Sequence, residues 1–225
     1  MSQEFDRYSK NYKTLMEDAI KITGFNSSYF VTAKLKKLRS IEGHNISSNF
    51  LDYGCGLGDL SKNFHQYFPN ARYFGVDASP EMVKTARDQY GGNGIFCESS
   101  SEEWKQRSYQ TVFSACAFHH IPPENHKNVL STLKDLLTPG GKIIIWEHNP
   151  INPFTRKIVR DCPFDEHAVL IHPNRLMNMF NQAGLRQTRL IYTTFFPKFL
   201  QFLTPAESML EWCPFGGQYI LIGSK

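Results

Sequence analysis

No stretch of this sequence is apolar for long enough to span a bilayer, and no Cys-x-x-Cys pair occurs in it. The first absence excludes a membrane-spanning helix. The second removes the commonest zinc and dithiol arrangements. Its five cysteines, Cys55, Cys97, Cys116, Cys162 and Cys213, are odd in number and widely spaced. Neither a disulfide framework nor a zinc site is expected, and a reducing compartment suits them. There is no internal repeat and no low-complexity segment. The opening residues Met1 to Arg7 carry acids early and hold no apolar run, unlike a signal peptide, so the cytoplasm is the expected location. A net charge of +4 over 225 residues is mild, which argues against a purely electrostatic nucleic-acid binder.

With 41% hydrophobic and 20% charged residues, the composition is that of a soluble globular chain. Its length suits one α/β domain that can bury a core without metals or disulfides. Aromatic content is high, with 18 Phe. Core packing is the first reading of that surplus, and a bulky apolar acceptor pocket is the second.

Beyond about residue 48 the pattern alternates strands with helices. Residues 48–53 form a short apolar run ended by glycines, which reads as a buried strand. Leu60, Phe64 and Tyr67 or Phe68 then follow at helical spacing until Pro69. Residues 72–76 read as a second strand. Ser79 can cap the next helix, with Pro80 at its first position, and Gly91-Gly92 stops it. Residues 95–97 and 111–115 give two more strands, and a helix over 124–137 carries Val129, Leu130, Leu133, Leu136 and Leu137. Pro139-Gly140-Gly141 turns the chain into Lys142 to Trp146, the clearest strand of all. Five strands joined by helices imply a mostly parallel sheet.

After Glu147 the alternation breaks. Pro150, Pro153 and Pro163 punctuate residues 148–172, with Pro173 just beyond, and the stretch reads as an insertion above the sheet. A helix over 173–183 and two closing strands, 185–196 and 217–223, complete the chain. Between those strands, residues 195–215 are dense in aromatics, with core or dimer packing the first expectation and a membrane-surface patch the second. The first 40 or so residues read as two helices, with Tyr8 and Tyr12 four apart on the first.

In open parallel sheets, ligands gather at the carboxyl ends of the strands. Here the first strand ends in Asp52-Tyr53-Gly54-Cys55-Gly56-Leu57-Gly58-Asp59. Glycines let the backbone turn and approach a ligand that a Cβ would displace. A dinucleotide fingerprint would be G-x-G-x-x-G over a pyrophosphate. This loop instead alternates Gly54, Gly56 and Gly58 and puts Asp59 where the third dinucleotide glycine would stand. A carboxylate there repels a pyrophosphate, and Asp52 suits a cationic ligand group. Asp77, ending the second strand, is spaced to accept hydrogen bonds from two ribose hydroxyls.

These features together resemble the class I S-adenosylmethionine-dependent methyltransferases. Leu51-Asp52-x-Gly54-x-Gly56-x-Gly58 matches that family's first motif, and Gly75-Val76-Asp77-Ala78-Ser79-x-x-Met82 resembles its second. Its Pro-Gly-Gly turn before strand five is matched by Leu137 to Lys142. The resemblance covers roughly residues 45–147. It implies a Rossmann-like three-layer sandwich, α/β, with a mostly parallel seven-stranded sheet, the last strand antiparallel, and a helical N-terminal extension. A single domain over 1–225 would divide into a lid (1–42), a cofactor-binding core (43–147), an acceptor-side insertion (148–172) and a closing helix and strands (173–225). By the same resemblance Asp52, Gly54, Gly56 and Gly58 form the cofactor loop, and Asp77 holds the ribose. Ala78 and Met82 border the adenine, Glu98 and Ser99 face its amino group, and Cys116 lies near the methyl donor. Tyr12, with Tyr8, would close over the cofactor. Glu98-Ser-Ser-Ser is not the family's commonest form at that place.

Methyl transfer from a sulfonium needs alignment in a dry site, and a base only if the acceptor must lose a proton. His119, His120, Glu147 and His148 are the candidates. His119 and Glu147 are the catalytic expectation, with His120 read as structural. His148, Arg156 and Arg160 are expected to meet the acceptor, the two arginines sharing a helix face that clamps an anion. Asp161, Asp165, His167 and His172 match no metal spacing, so no metal is expected. The Asn- or Asp-Pro-Pro-aromatic run of nucleic-acid amino methyltransferases is missing, since His120-Ile121-Pro122-Pro123-Glu124 stands in its place. Cys162-Pro163 and Cys213-Pro214 reverse the Pro-Cys order of cytosine C5 enzymes. The expected function is S-adenosylmethionine-dependent methylation of a small-molecule or lipid-linked acceptor. Its partners are that acceptor and not a nucleic acid, with peripheral membrane contact allowed and a monomer or homodimer as the assembly. The alternative is a cofactor-binding regulatory or scaffold protein without transfer activity.

Overall fold

The structure is a computed structural model that describes residue 6, residues 11–43 and residues 46–225. Tyr8 lies outside these residues. Seven strands form one sheet: β1 (Asn49–Tyr53), β2 (Arg72–Asp77), β3 (Ile95–Glu98), β4 (Tyr109–Ala115), β5 (Leu137–His148), β6 (Arg186–Thr193) and β7 (Gln218–Ser224). Their order is β3-β2-β1-β4-β5-β7-β6. The pairs among β1 to β5 are parallel, and β7 runs antiparallel to both β5 and β6. This is the Rossmann-like sandwich with an antiparallel last strand that the sequence led us to expect.

Helices α1 (Tyr12–Ile20), α2 (Ser27–Glu42), α3 (Ser61–Tyr67), α4 (Pro80–Tyr90), α5 (His126–Asp135), α6 (Pro153–Arg160) and α7 (Pro173–Gln182) accompany the sheet. Ser79 caps α4 by accepting from the Met82 N–H, with Pro80 at its first turn. Asn152 caps α6 in the same way through the N–H groups of Phe154 and Thr155. The expected helix over 124–137 is shorter than its apolar pattern suggested. It ends at Asp135, and Leu137 instead pairs with Tyr109 as the first residue of β5. The backbone is already extended before the Pro-Gly-Gly turn.

Side chains alternate across the strands, as a pleat requires. Ile143 and Ile145 enter one apolar cluster with Leu133 of α5 and Leu176 and Phe180 of α7. Ile144 and Trp146 enter the other, with Leu35 and Leu38 of α2, Phe64 of α3 and Val83 of α4. Each large side chain so buried contributes roughly 1.5–3 kcal/mol relative to exposure. The sheet is therefore a rigid, doubly covered platform whose carboxyl edge is left for chemistry.

Candidate active site

Strand order reverses at β1, which pairs with β2 on one side and β4 on the other. The loops leaving β1 and β4 consequently meet over the same crevice. Their approach is close: a Cβ built on Gly54 would lie 2.3 Å from the Cβ of Ala117. Gly54 and Gly56 both have left-handed backbone, with φ of 81° and 53°. A Cβ on Gly56 would meet nothing within 4 Å, so at that point bare backbone faces open space. A cavity of about 260 Å³ lies there, walled by Gly54, Gly56 and Asp52 below, Tyr12 above, and His119 and Asp165 at the far side.

Asp52 is 4% exposed and accepts a hydrogen bond from the Tyr73 hydroxyl. Burial pushes its pKa up to about 6, although the Tyr73 bond and the Lys34 charge act the other way. A buried carboxylate in that state is short of a cation. Asp77 anchors the glycine loop: its carboxylate accepts from the Gly56 N–H at 2.8 Å and the Ser79 N–H at 2.9 Å. Two oxygens offer about four lone-pair directions, so room remains for ribose hydroxyls. Burial raises the Asp77 pKa while these amides hold it down. Glu98 lies beside Asp77 in register, and the Ser99 N–H donates to the Asp77 carbonyl. Met82 is buried under the same edge and Ala78 is exposed on it. Gly58 faces away from the cavity, against Phe96 and Ala86, and serves helix-to-sheet packing.

On the other side of the crevice β4 ends at Cys116, which lines the cavity and has φ of 53°. Strained non-glycine backbone of this kind costs about 1–3 kcal/mol and is found where the surroundings enforce it. Here the enforcement comes from β5. The Cys116 N–H donates to the Trp146 carbonyl, and fully buried Glu147 binds the residues that follow. Its Oε1 accepts from the Ala117 and Phe118 N–H groups at 3.2 and 2.8 Å, and its Oε2 lies 2.5 Å from His119 Nδ1. A carboxylate on Nδ1 fixes the proton there, which turns Nε2 toward the cavity.

His119 Nε2 is buried with no hydrogen-bond partner and lies 3.6 Å from Asp165 Oδ1. His120 Nε2 is 3.2 Å from that same oxygen, and the His148 ring is 5.2 Å from the His119 ring, centroid to centroid. Burial alone would lower the His119 pKa, but the charge of Glu147 and the contacts with Asp165 and Glu147 outweigh it and raise it to about 10. Burial likewise works against the ionised forms of Glu147 and Asp165, and the histidines prevail in both, holding them below the usual carboxylate range. His148, buried beside positive neighbours, falls to about 4. A protonated His119 is a hydrogen-bond donor, which narrows the expected base role to conditions that displace that proton.

Two sequence expectations are corrected. Arg156 and Arg160 do share a face of α6, but it is the solvent face, and Arg160 pairs with Asp161 at 3.2 Å. Thr155 and Ile158 line the cavity instead, because the apolar phase of the helix sets its rotation. Of the 195–215 segment Phe195 packs against the core, but Phe199, Phe202, Met209, Trp212 and Phe215 are exposed, which overturns the core half of that expectation. Sequence reasoning also underrated Asp165, which it noted only as a scattered acid, and His120, which it read as structural. Lys34 of α2 is a further cavity residue. No local spacing signals these three, since each reaches the crevice through the tertiary fold. Tyr12 lines the cavity, with its ring 4.8 Å from that of Phe164.

The Asp52 geometry carries an expectation of its own. A carboxyl whose folded pKa is raised favours folding below its unfolded value near 3.8, and that contribution is lost as pH rises through about 6. Asp52→Asn should therefore melt above the native chain at pH 8, by roughly 1–3 kcal/mol, and not at pH 3.5. Calorimetry at the two pH values checks this, and equal melting at pH 8 would refute it.

Comparison with known proteins agrees with this geometry. A family model described as a methyltransferase domain matches residues 50–141. The chain is 33% identical over 107 residues to a malonyl-[acyl-carrier protein] O-methyltransferase 2 of Ilyobacter polytropus, covering 46% of this chain and 40% of that protein. It is 27% identical over 185 residues to a trans-aconitate 2-methyltransferase of Mycobacterium ulcerans, covering 76% and 66% respectively. The match thus spans about two fifths of the first relative's length. Among solved structures, a SAM-dependent methyltransferase of Archaeoglobus fulgidus shares the fold at a TM-score of 0.67 and 20% identity, over 89% of this chain and 95% of that one. The glycine loop, the Asp77 anchor and these likenesses agree: residues 50–141 are similar to a methyltransferase domain, and the chain shares the fold of solved SAM-dependent methyltransferases.

Proposed function

We propose that this chain is an S-adenosylmethionine-dependent methyltransferase acting on a small-molecule or lipid-linked acceptor. One observation carries the reading: a single cavity is walled by the glycine loop on one side and by His119 and Asp165 on the other, with Glu147 behind His119. When bound, S-adenosylmethionine supplies an electrophilic methyl group on a sulfonium. The chain's residues fit it. Gly56 leaves backbone bare toward the cavity, Asp52 is the buried carboxylate short of a cation, and Asp77 retains acceptor capacity for hydroxyls. Tyr12 and Phe164 close the space above and exclude water, which strengthens every electrostatic contact inside. His119 Nε2, aimed into the cavity, is the group that meets the acceptor, with Glu147 holding its ring. The relatives named for malonyl-[acyl-carrier protein] and trans-aconitate support a small or carrier-linked acceptor.

Isothermal titration with S-adenosylhomocysteine should give one site per chain, and S-adenosylhomocysteine should form on incubation with S-adenosylmethionine and a panel of acceptors. No binding in the titration removes the proposal. Binding without product over a broad panel favours the regulatory alternative.

The lipid-linked half of the proposal rests on the surface beside the cavity. Of nine exposed large apolar side chains among the described residues, five lie within 199–215. A sixth, Phe154, opens α6 beside Phe215, whose carbonyl accepts from the Asn152 amide at 2.7 Å. No helix among the described residues is long and apolar enough to cross a membrane, so this patch would rest on a lipid surface. Phe199→Ser combined with Trp212→Ser should weaken co-sedimentation with phospholipid vesicles about tenfold or more. Unchanged sedimentation, or a loss of dimer in its place, would assign the patch elsewhere.

A further inference from the structure

We propose that His119, His120 and Asp165 form a binding site for one divalent transition-metal ion of the zinc class, facing the cavity. This inference rests on the methyltransferase reading only for what the ion would do, not for whether it binds. Among the described residues these three supply ligand atoms that all lie within 4.8 Å of one another. The Asp165 Oδ1 distances, 3.2 Å to His120 Nε2 and 3.6 Å to His119 Nε2, bracket the spacing of roughly 3.3 Å that two ligands about 2.0–2.1 Å from a tetrahedral ion would have. The cluster is prepared for an ion in two further respects.

First, His119 Nε2 is a buried nitrogen whose nearest acceptor, Asp165 Oδ1 at 3.6 Å, lies beyond hydrogen-bond length, and buried nitrogens left so are rare without a reason. Second, Glu147 grips the opposite nitrogen at 2.5 Å. Metal-binding histidines nearly always donate their other N–H to a carboxylate or carbonyl, which fixes the tautomer and raises the ring's basicity. Glu147 is itself pinned by the Ala117 and Phe118 N–H groups, so the ligand ring cannot turn. Two imidazoles and one carboxylate form the donor set of catalytic zinc and of non-haem iron(II) sites, where a further position stays open. Here that position opens on the cavity where the acceptor is proposed to sit. The fitting acceptor class is one presenting a hydroxyl, thiol or carboxylate oxygen, able to take the last position. Metal chemistry would also account for the insertion, because Asp165 is the ligand it brings to the sheet edge.

The test uses the full chain stripped with a chelator and dialysed, then titrated with Zn²⁺ by calorimetry and with Co²⁺ by visible absorption. One ion per chain is expected, with tetrahedral or five-coordinate d–d bands and a raised melting temperature. His120→Ala and Asp165→Asn should each weaken binding at least a hundredfold. Glu147→Gln, which positions a ligand without touching the ion, should weaken it about 10–100-fold. Each variant is checked for a cooperative melt and for S-adenosylhomocysteine affinity within a few-fold of the native chain. Absence of saturable binding overturns the proposal. So does binding that is unchanged in both ligand variants, or cobalt-thiolate charge-transfer bands that place the ion on cysteines. If the ion binds and S-adenosylhomocysteine does not, the metal site stands and the methyltransferase reading fails. The reverse result fails only the metal site.

Discussion

Glu147→Ala should cost about 3–5 kcal/mol of folding stability, because it strands a buried histidine beside Asp165 without its principal partner. The same change leaves the Ala117 and Phe118 N–H groups without their acceptor, and unsatisfied buried donors add to the loss. For a chain of this length each kcal/mol moves the melting temperature by roughly 2–4 °C, so a drop of about 10 °C is expected. Glu147→Gln separates structure from function. Its amide oxygen can still accept from the loop, but the group facing His119 Nδ1 becomes a donor and opposes the proton there. The ring must then change tautomer or turn. Turnover should fall about 10²–10⁴-fold while the melt moves by much less. A melt lowered as far as in the alanine variant, with activity lost in proportion, would mean that Glu147 is only a structural pin.

Gly54→Ala should be nearly as damaging, for a different reason. Its Cβ would sit 2.3 Å from the Ala117 Cβ, and its φ of 81° is one that an alanine adopts only at a cost. Strain and overpacking each run about 1–3 kcal/mol, and together they push the β1 and β4 loops apart. The neighbouring Gly56→Ala is the control. With nothing within 4 Å of its added Cβ, it avoids the clash but projects a methyl group into the cavity. It should lose S-adenosylhomocysteine affinity tenfold or more with a modest change in melting. Thermal melts and titrations of the two variants side by side decide the matter. Equal losses of both kinds in the two would show that the loop acts as one structural unit and not as a ligand wall.

The cofactor half of the site was legible because its determinants are local. Gly54, Gly56 and Asp77 lie at strand ends that periodicity can find, and the Ser79–Pro80 cap marks the following helix. Glu147 was legible for the same reason, as the last residue but one of the most apolar strand. The acceptor half was not. Asp165 reaches His119 through a helix and a 3-10 turn, and nothing in the spacing of Cys162-Pro163-Phe164-Asp165 reports that meeting. Arg156 and Arg160 misled because their charge drew attention while Thr155 and Val159, one position earlier in each turn, set which side of α6 faces inward. The aromatic segment misled in the opposite sense. Hydrophobicity alone does not say whether a residue is buried, and here Pro197 and Pro205 hold the backbone in 3-10 turns that leave Phe199 and Phe202 outside.

The crevice is built from two suppliers that meet in one cavity. The glycine loop and Asp77 belong to β1 and β2, whereas Asp165 arrives on an insertion fastened at its base through Asn149 to the Pro214 and Gly216 carbonyls. Such an arrangement is a socket with an exchangeable fitting. Residues 150–172 could be exchanged for a segment of equal span that keeps an aromatic ring opposite Tyr12, leaving the glycine loop and Asp77 in place. On the proposed function, changes confined to that segment would alter the acceptor while the cofactor loop is kept, which makes it the natural place to begin a redesign for a new substrate.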